Sequence, residues 1–364
     1  MRVIVFGGGI QGRVIAADLA GRDGSPEVVV MDVRAPTAKL PEGVSYEKVD
    51  ALEGGDVSRV VRGADVAVLA LPGGVARRAL ENIVAAGAST VDVSFTPEPP
   101  LDLDERARKS GARVIVDCGV APGLSHVLAG AAHHDLGGLD SLRILVGGLP
   151  ERVPPHFRHA VYFNARDLVA EYLRPARRRN GGRDEAPAPL DAPAERHVDE
   201  ELGALDAFLS DGLRSLLTSY PEVPDMEERT LRWPGHLEFM RGLRAAGLLD
   251  EVPLPGAPEA TADSTARALA TRYPGEAHPD VLVMEVVCTR GGHKRSWRLI
   301  DRRTGSATAM SRTTAFTAAA VAWQLARGRF TEAGVHAPER LGSEPALVRD
   351  VLHDLGERGV RVVG

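Results

Sequence analysis

From Arg2 to about Val120 the chain alternates short β-branched and apolar runs with stretches rich in Ala, Leu and Arg. The runs Val3 to Phe6, Val28 to Met31, Val44 to Val49, Val66 to Leu71, Thr90 to Ser94 and Val114 to Asp117 predict strands. Segments such as Val14 to Ala20 and Ala76 to Ala86 predict the helices that parallel crossovers require. That rhythm predicts an α/β fold with an N-terminal Rossmann domain, a doubly wound parallel sheet, over residues 1–121. After Pro122 and Gly123 the runs Leu142 to Val146 and Val281 to Val287 are separated by helical material, which predicts a second, α+β domain for substrate binding over residues 122–311. Within it, Val281 to Cys288 and Arg295 to Ile300 flank Gly291-Gly292, a pair that permits positive φ, so an antiparallel hairpin is expected. Arg183 to Arg196 and Pro253 to Ala262 are expected as surface loops. Arg312 to Ala326 carries Phe316, Ala320, Trp323 and Arg327 at helical spacing and opens a C-terminal segment, 312–364, expected to return to the Rossmann domain.

Composition narrows the class. A chain of 364 residues exceeds what one core usually supports, which favours two domains. A net charge of -6 with the arginines scattered among acids leaves no footprint for a nucleic-acid backbone, so small-molecule chemistry is favoured. The two cysteines, Cys118 and Cys288, fall in separate strand-like segments, which suits a reducing cytoplasmic compartment. No apolar run reaches the roughly 18 residues that span a bilayer, and no signal-peptide pattern opens the chain, so neither membrane insertion nor secretion is expected. His133 and His134 are adjacent rather than at ligand spacing, and no metal is expected.

The strongest chemical signal is Val3-Ile4-Val5-Phe6 running into Gly7-Gly8-Gly9-Ile10-Gln11-Gly12 and then an Ala-rich helix. This is the G-x-G-x-x-G spacing in the strand-to-helix context that gives it meaning. Gly7 permits the tight turn, Gly9 the approach of a pyrophosphate and Gly12 close helix-strand packing, with Ile10 and Gln11 opening the helix. Asp32 ends the second strand about twenty residues past Gly12, where a carboxylate accepts the ribose hydroxyls and repels a 2′-phosphate. NAD is therefore favoured over NADP, although Arg34 stands near enough to pair with a phosphate. Asp50, ending the third strand, is a candidate for adenine contact or for a simple turn. In an open α/β sheet ligands lie beyond the carboxyl ends of the strands, which singles out Leu71 and Pro72, Asp92 and Ser94, and Asp117 and Gly119. Cys118 has no visible base beside it and reads as packing.

Further along, Asp117-Cys118-Gly119-Val120-Ala121-Pro122-Gly123-Leu124-Ser125, Gly147-Gly148-Leu149-Pro150 and Arg232-Trp233-Pro234-Gly235-His236 resemble the saccharopine dehydrogenase-like family. The segments Asp167 to Ala176, Leu205 to Phe208 with Ser210 to Leu213, and Arg312 to Phe316 are similar too, so the resemblance covers nearly the whole chain. Ala121, where saccharopine reductases usually carry Asp, and the Pro-Gly-His form resemble the lysine 6-dehydrogenases of that family. The resemblance implies oxidation of a primary amine of an amino acid, lysine giving a semialdehyde that closes to a cyclic imine, and a homodimer. Tyr162-Phe163-Asn164-Ala165 departs from the Trp-Ser-Pro-like residues expected there, which implies a different side-chain pocket around Tyr162.

For that chemistry the iminium that develops is cationic, so Asp117 and Asp92 are the candidates to stabilise it. His236 is the candidate proton acceptor, and Arg174 and Arg232 are candidate partners for a substrate carboxylate. Two other readings stay open: reductive condensation of an amine with a carbonyl, as in saccharopine or carboxynorspermidine formation, and a non-catalytic dinucleotide-binding sensor.

Overall fold

The computed structural model describes residues 1–36 and 39–364. The alternation of apolar runs with helical stretches becomes β1 (Arg2–Phe6), β2 (Glu27–Asp32), β3 (Val44–Lys48), β4 (Val66–Leu69), β5 (Thr90–Asp92) and β6 (Arg113–Ile115). The first crossover is the helix α1 (Ile10–Ala20). The second half supplies β7 (Ser141–Pro150), β8 (Arg178–Asn180), β9 (Arg183–Glu185), β10 (Glu195–Asp199), β11 (Gly203–Leu209), β12 (Asp225–Arg232), β13 (Asp280–Arg290) and β14 (His293–Arg302). After the long helix Ala309–Ala326 come β15 (Gly334–His336) and β16 (Val362–Val363).

The chain divides into two compact units, one of residues 1–135 and 311–361 and the other of residues 136–310 and 362–364. The first unit holds a parallel seven-stranded sheet in the order β15-β6-β5-β4-β1-β2-β3. Reversal of direction from β1 puts β2 on one side and β4 on the other, which is the topological switch point where ligands bind in such sheets. Ile4, Phe6, Met31, Leu69 and Val114 from the strands pack with Leu80, Ile83 and Ala107 from the helices in a core that solvent does not reach. Strands buried on both faces explain why the sequence shows continuous apolar runs there rather than alternation.

The second unit holds a mixed sheet in the order β10-β11-β12-β7-β13-β14-β16, with β8 attached at β12 and β9 at β8. The β13–β14 hairpin pairs Val281 with Arg302 through Arg290 with His293, and Gly291 and Gly292 turn it with φ of 54° and 83°. Phe157, Leu168, Tyr172, Phe208, Leu237 and Met240 form a buried core in this unit. The loop expected over Arg183 to Arg196 contains β9 and the start of β10 instead. Charged side chains disguise these short strands, because Arg178 and Glu185 pair across them at 2.7 Å. The helix Leu124–Leu136 belongs, through residue 135, to the first unit, although the sequence places the start of the second domain at 122.

Candidate functional site

Gly7 and Gly12 of the first turn answer to separate steric demands. Gly7 has φ +107°, and a Cβ there would meet the Ala70 carbonyl oxygen at 2.3 Å. A Cβ on Gly12 would sit 1.8 Å from the Gly7 carbonyl oxygen, so only glycine lets α1 pack this closely against the turn. At Gly9, by contrast, a Cβ would meet nothing within 4 Å. Gly9 is also the N-cap of α1 and offers no side chain to its first-turn amides. Those amides are the ordinary orphan donors of a helix start, the kind of place where an anion is held.

Asp32, at the end of β2, is tied to this turn. One of its carboxylate oxygens accepts from Gly8 N at 2.7 Å and the other from Arg34 N at 3.0 Å. Each oxygen keeps a further lone pair for a ribose hydroxyl. Tyr46 donates to the Asp32 carbonyl at 3.2 Å and fixes the strand end. Asp50 accepts from Leu52 N at 2.9 Å in a local turn.

At the carboxyl edge of the same sheet, Leu71 N donates to Ser94 Oγ at 3.2 Å, and Pro72 stands at the N-cap of the helix Gly73–Ala85. Ser94 N in turn donates to Asp92 at 2.8 Å, so the loops after β4 and β5 are locked together. Asp92 and Asp117 are both buried, and Asp117 holds a left-handed φ of 52°, a conformation Asp tolerates. Cys118 N donates to the Asp92 carbonyl at 2.8 Å. Burial first, and then these two carboxylates, push the Cys118 thiol far above its ordinary value, so it stays protonated and is no nucleophile. Gly119 N is shared between the Asp117 and Pro122 carbonyls at 3.1 and 3.0 Å. Gln11, at the start of α1, accepts from Ser311 at 3.4 Å.

The second unit contains a buried polar chain that the sequence indicated only in part. Arg232 Nη2 donates to Glu171 at 2.6 Å, Nε to the Tyr172 hydroxyl at 3.0 Å and Nη1 to the Leu231 carbonyl at 3.0 Å. The Tyr172 hydroxyl lies 2.7 Å from His236 Nε2, and His236 Nδ1 lies 2.6 Å from the Phe157 carbonyl. A carbonyl only accepts, so Nδ1 carries the proton and Nε2 accepts from Tyr172, whose oxygen accepts from Arg232. Burial, reinforced by Arg232, lowers His236 to about 3. Burial also raises Tyr172 to about 12. His236 is thus a neutral ring with both nitrogens engaged, and this geometry suits a fixed link to Tyr172 and Arg232 rather than the proton acceptor that its residue type suggests. Arg174 lies among carboxylates, where it opposes the burial that raises Glu171 and Asp167.

Beside this chain, Ser210 donates to Glu228 at 2.7 Å, and Ser210 and Thr230 share a bond of 2.7 Å. Burial first, with Glu171 and Asp211 acting in the same sense, raises Glu228 to about 7. Two further groups lack partners. Neither ring nitrogen of His159 nor the Tyr162 hydroxyl makes a hydrogen bond among the described residues, although all three atoms are buried.

Among the described residues, His197, Asp199 and Glu285 bring three potential metal-ligand atoms within 4.8 Å of one another. Asp199 already accepts from Arg298 at 3.0 Å and from Glu201 N and Leu202 N at 2.9 and 2.8 Å, so a cation would have to displace a guanidinium.

The site residues therefore fall into two groups, one in each unit. Gly7, Gly9, Ile10, Gln11, Gly12, Asp32, Asp50, Leu71, Pro72, Asp92, Ser94, Asp117 and Gly119 lie in the first, and Tyr162, Arg174, Arg232 and His236 in the second. Glu171, Tyr172, His159 and Glu228 were not legible as site residues in the sequence. Glu171 and Tyr172 sit inside a quoted motif, and their meeting with Arg232 and His236 across 61 and 64 residues left no local signal in the sequence. No helix among the described residues is long and apolar enough to cross a membrane.

Comparison with known proteins accords with this geometry. The family model described as saccharopine dehydrogenase NADP binding domain matches residues 3–115, and the one described as saccharopine dehydrogenase C-terminal domain matches residues 119–360. Among solved structures, apo saccharopine dehydrogenase (L-Glu forming) from Saccharomyces cerevisiae is similar with a TM-score of 0.79 at 17% identity, covering 100% of both chains. The C. glutamicum DAP dehydrogenase in complex with DAP is similar with a TM-score of 0.50 at 14% identity, covering 98% of each chain. At these identities the structural likeness speaks for the fold.

Proposed function

Because the chain belongs to the saccharopine dehydrogenase family of NAD(P)-dependent oxidoreductases acting on carbon–nitrogen bonds, we propose that it oxidises the primary amine of an amino acid with NAD, in the manner of a lysine 6-dehydrogenase. The observation that carries this reading is the pair of buried carboxylates, Asp92 and Asp117, at the carboxyl edge of the dinucleotide-binding sheet. The turn Gly7 to Gly12, the α1 amino terminus and Asp32 would hold the dinucleotide, and they fit it: the approach at Gly9 is open, and the Asp32 carboxylate disfavours a 2′-phosphate. Bound there, the cofactor supplies the acceptor for the hydride that leaves the amine-bearing carbon.

The chain's own residues do the rest. A neutral amine that loses hydride becomes a cationic iminium, and the negative charge of Asp92 and Asp117 favours that cation over the uncharged amine. Hydrolysis of the iminium releases ammonium and an aldehyde, and with lysine the aldehyde condenses with the α-amine to a cyclic imine. Within the second unit, Arg232, Tyr172 and His236 hold one another in place. The protein acts in this reading as a homodimer in the cytoplasm.

Absorbance at the reduced-nicotinamide band, with NAD or NADP and a panel of amino acids and polyamines, tests it. Lysine-dependent formation of NADH is expected. Consumption of reduced cofactor only by an amine together with a keto acid would replace this reading by reductive condensation, and silence with every pair would leave a dinucleotide-binding protein without turnover.

A further inference from the structure

His159 and Tyr162 stand on the segment between β7 and the helix Ala165–Ala170, and the mechanism above uses neither. Their rings lie 5.9 Å apart, edge to face. His159 is 1% exposed and Tyr162 5%, and the two imidazole nitrogens and the hydroxyl have no partner among the described residues. Buried polar groups nearly always find a partner, because leaving one unmade costs the full loss of its hydration. Three orphan atoms on two neighbouring rings are therefore a place that something else completes.

Both rings are rigidly held by contacts that leave their polar atoms free. Tyr162 lies on Gly275, where a Cβ would approach its ring carbon to 2.7 Å. The adjoining backbone is clamped by Val161 N to the Tyr273 carbonyl at 2.9 Å and Gly275 N to the Val161 carbonyl at 3.0 Å. His159 is wedged between Phe157 and His236, with ring separations of 5.7 and 5.2 Å. A fixed polar group without a partner in the protein is what a preorganised ligand site needs.

The surrounding charges differ in sign at the two ends. At His159 the ring is held neutral by burial first and by Arg232 next, so the nearest charge there is cationic. At Tyr162 the Asp280 carboxylate acts first on the hydroxyl, followed by the Arg303 guanidinium and by Glu151, which is itself paired with Arg302 at 2.8 Å. An anion is favoured at the first end and a cation at the second. We propose that His159 and Tyr162 form the subsite for the α-amino-acid head group of the substrate, His159 donating to its carboxylate and the Tyr162 oxygen accepting from its ammonium. The proposal rests on the amine-oxidising reading for the identity of the substrate and on geometry for the subsite.

The test titrates the full-length protein with NAD present, using two probes by calorimetry. L-norleucine carries the head group without an oxidisable terminal amine, and n-pentylamine carries the amine without the head group. L-norleucine is expected to bind the wild type, and Tyr162→Phe to weaken it by about ten- to a hundredfold, as loss of a hydrogen bond to a charged group does. The affinity for n-pentylamine is expected to change less than about twofold. His159→Gln, which keeps a donor and an acceptor, is expected to retain more affinity for L-norleucine than His159→Leu. Without ligand, Tyr162→Phe is expected to melt at or above the wild-type temperature, since its hydroxyl has no protein partner to lose. Failure of L-norleucine to bind the wild type, or equal binding by wild type and Tyr162→Phe, overturns the subsite and leaves bound water as the partner of these atoms. The two readings fail separately: Tyr162-dependent binding without amine oxidation leaves the subsite standing and removes the reaction, and oxidation without binding of L-norleucine does the reverse.

Discussion

Arg232→Met removes one cation from the interior of the second unit while keeping most of its volume. The Arg232 side chain is only 3% exposed, whereas that of its partner Glu171 is 30% exposed. Breaking a buried pair by deleting one member costs about 3–5 kcal/mol, because the other charge stays behind without compensation. Water reaches part of the Glu171 side chain, so the lower end, about 3 kcal/mol, is the better expectation. The Tyr172 hydroxyl also loses the donor that fixes it toward His236. Adding Glu171→Gln removes the stranded carboxylate, so the double variant should recover about 1–2 kcal/mol relative to Arg232→Met alone. Urea unfolding read by tryptophan fluorescence measures this, since Trp233 and Trp297, two of the three tryptophans, lie in the second unit. The comparison uses midpoints at unchanged slope. A loss below about 1 kcal/mol for the single variant, or strict additivity of the two substitutions, would mean that solvent already carries the Arg232 charge and that the chain from Glu171 to His236 is not coupled.

Other consequences can be measured directly. Asp32→Ser should raise the ratio of NADP to NAD usage, as kcat/KM, by about ten- to a hundredfold through loss of the carboxylate that opposes a 2′-phosphate; an unchanged ratio places cofactor choice elsewhere. Gly12→Ala forces a Cβ against the Gly7 carbonyl and should abolish NAD binding in a fluorescence titration at a stability cost of about 1–3 kcal/mol. His236 has a folded pKa near 3 against 6.5 in the unfolded chain, so protonation of the unfolded state makes its contribution fall as pH drops from 6.5 toward 3. Stability should decline by about 2 kcal/mol between pH 7 and pH 5 from this group, and His236→Gln should flatten that slope in urea melts. Glu228 has the opposite sign: its folded value is raised from 4.5 to about 7, so stability is complete below pH 4.5 and is lost as pH rises through 7. Glu228→Gln should therefore gain about 2–3 kcal/mol over wild type at pH 8 and little at pH 4.5.

The first unit was the more legible in the sequence because its physics is local. Gly7, Gly9 and Gly12 lie within one turn, and Val28 to Met31 form a strand whose end brings Asp32 back to Gly8 through a single bond. Asp92 and Asp117 were legible because strand ends bring them to one edge whatever the loops do. The second unit depends on contacts across long separations. Tyr172 meets His236 across 64 residues and Arg232 meets Glu171 across 61, and no periodicity within either segment encodes those meetings. His236 illustrates the limit: its residue type suggested a base, whereas the Phe157 carbonyl, 79 residues away, fixes the tautomer and burial removes the basicity. The short strands β8 to β10 were obscured by charged residues, and β15 and β16 by their brevity.

β15 lies beside β6 at the edge of the first sheet, yet residue 334 follows residue 115 only after residues 136–310 of the second unit have been made. At about 5–20 residues per second of synthesis, the last strand emerges from the ribosome roughly 10–40 s after its neighbour. For that interval β6 is a free edge of apolar backbone, and the nascent chain is most open to mispairing or to a holding chaperone. Circular permutation that joins residue 364 to residue 1 and opens the chain between residues 308 and 309 would make β15 before β6 and remove that interval without altering a contact within the sheet.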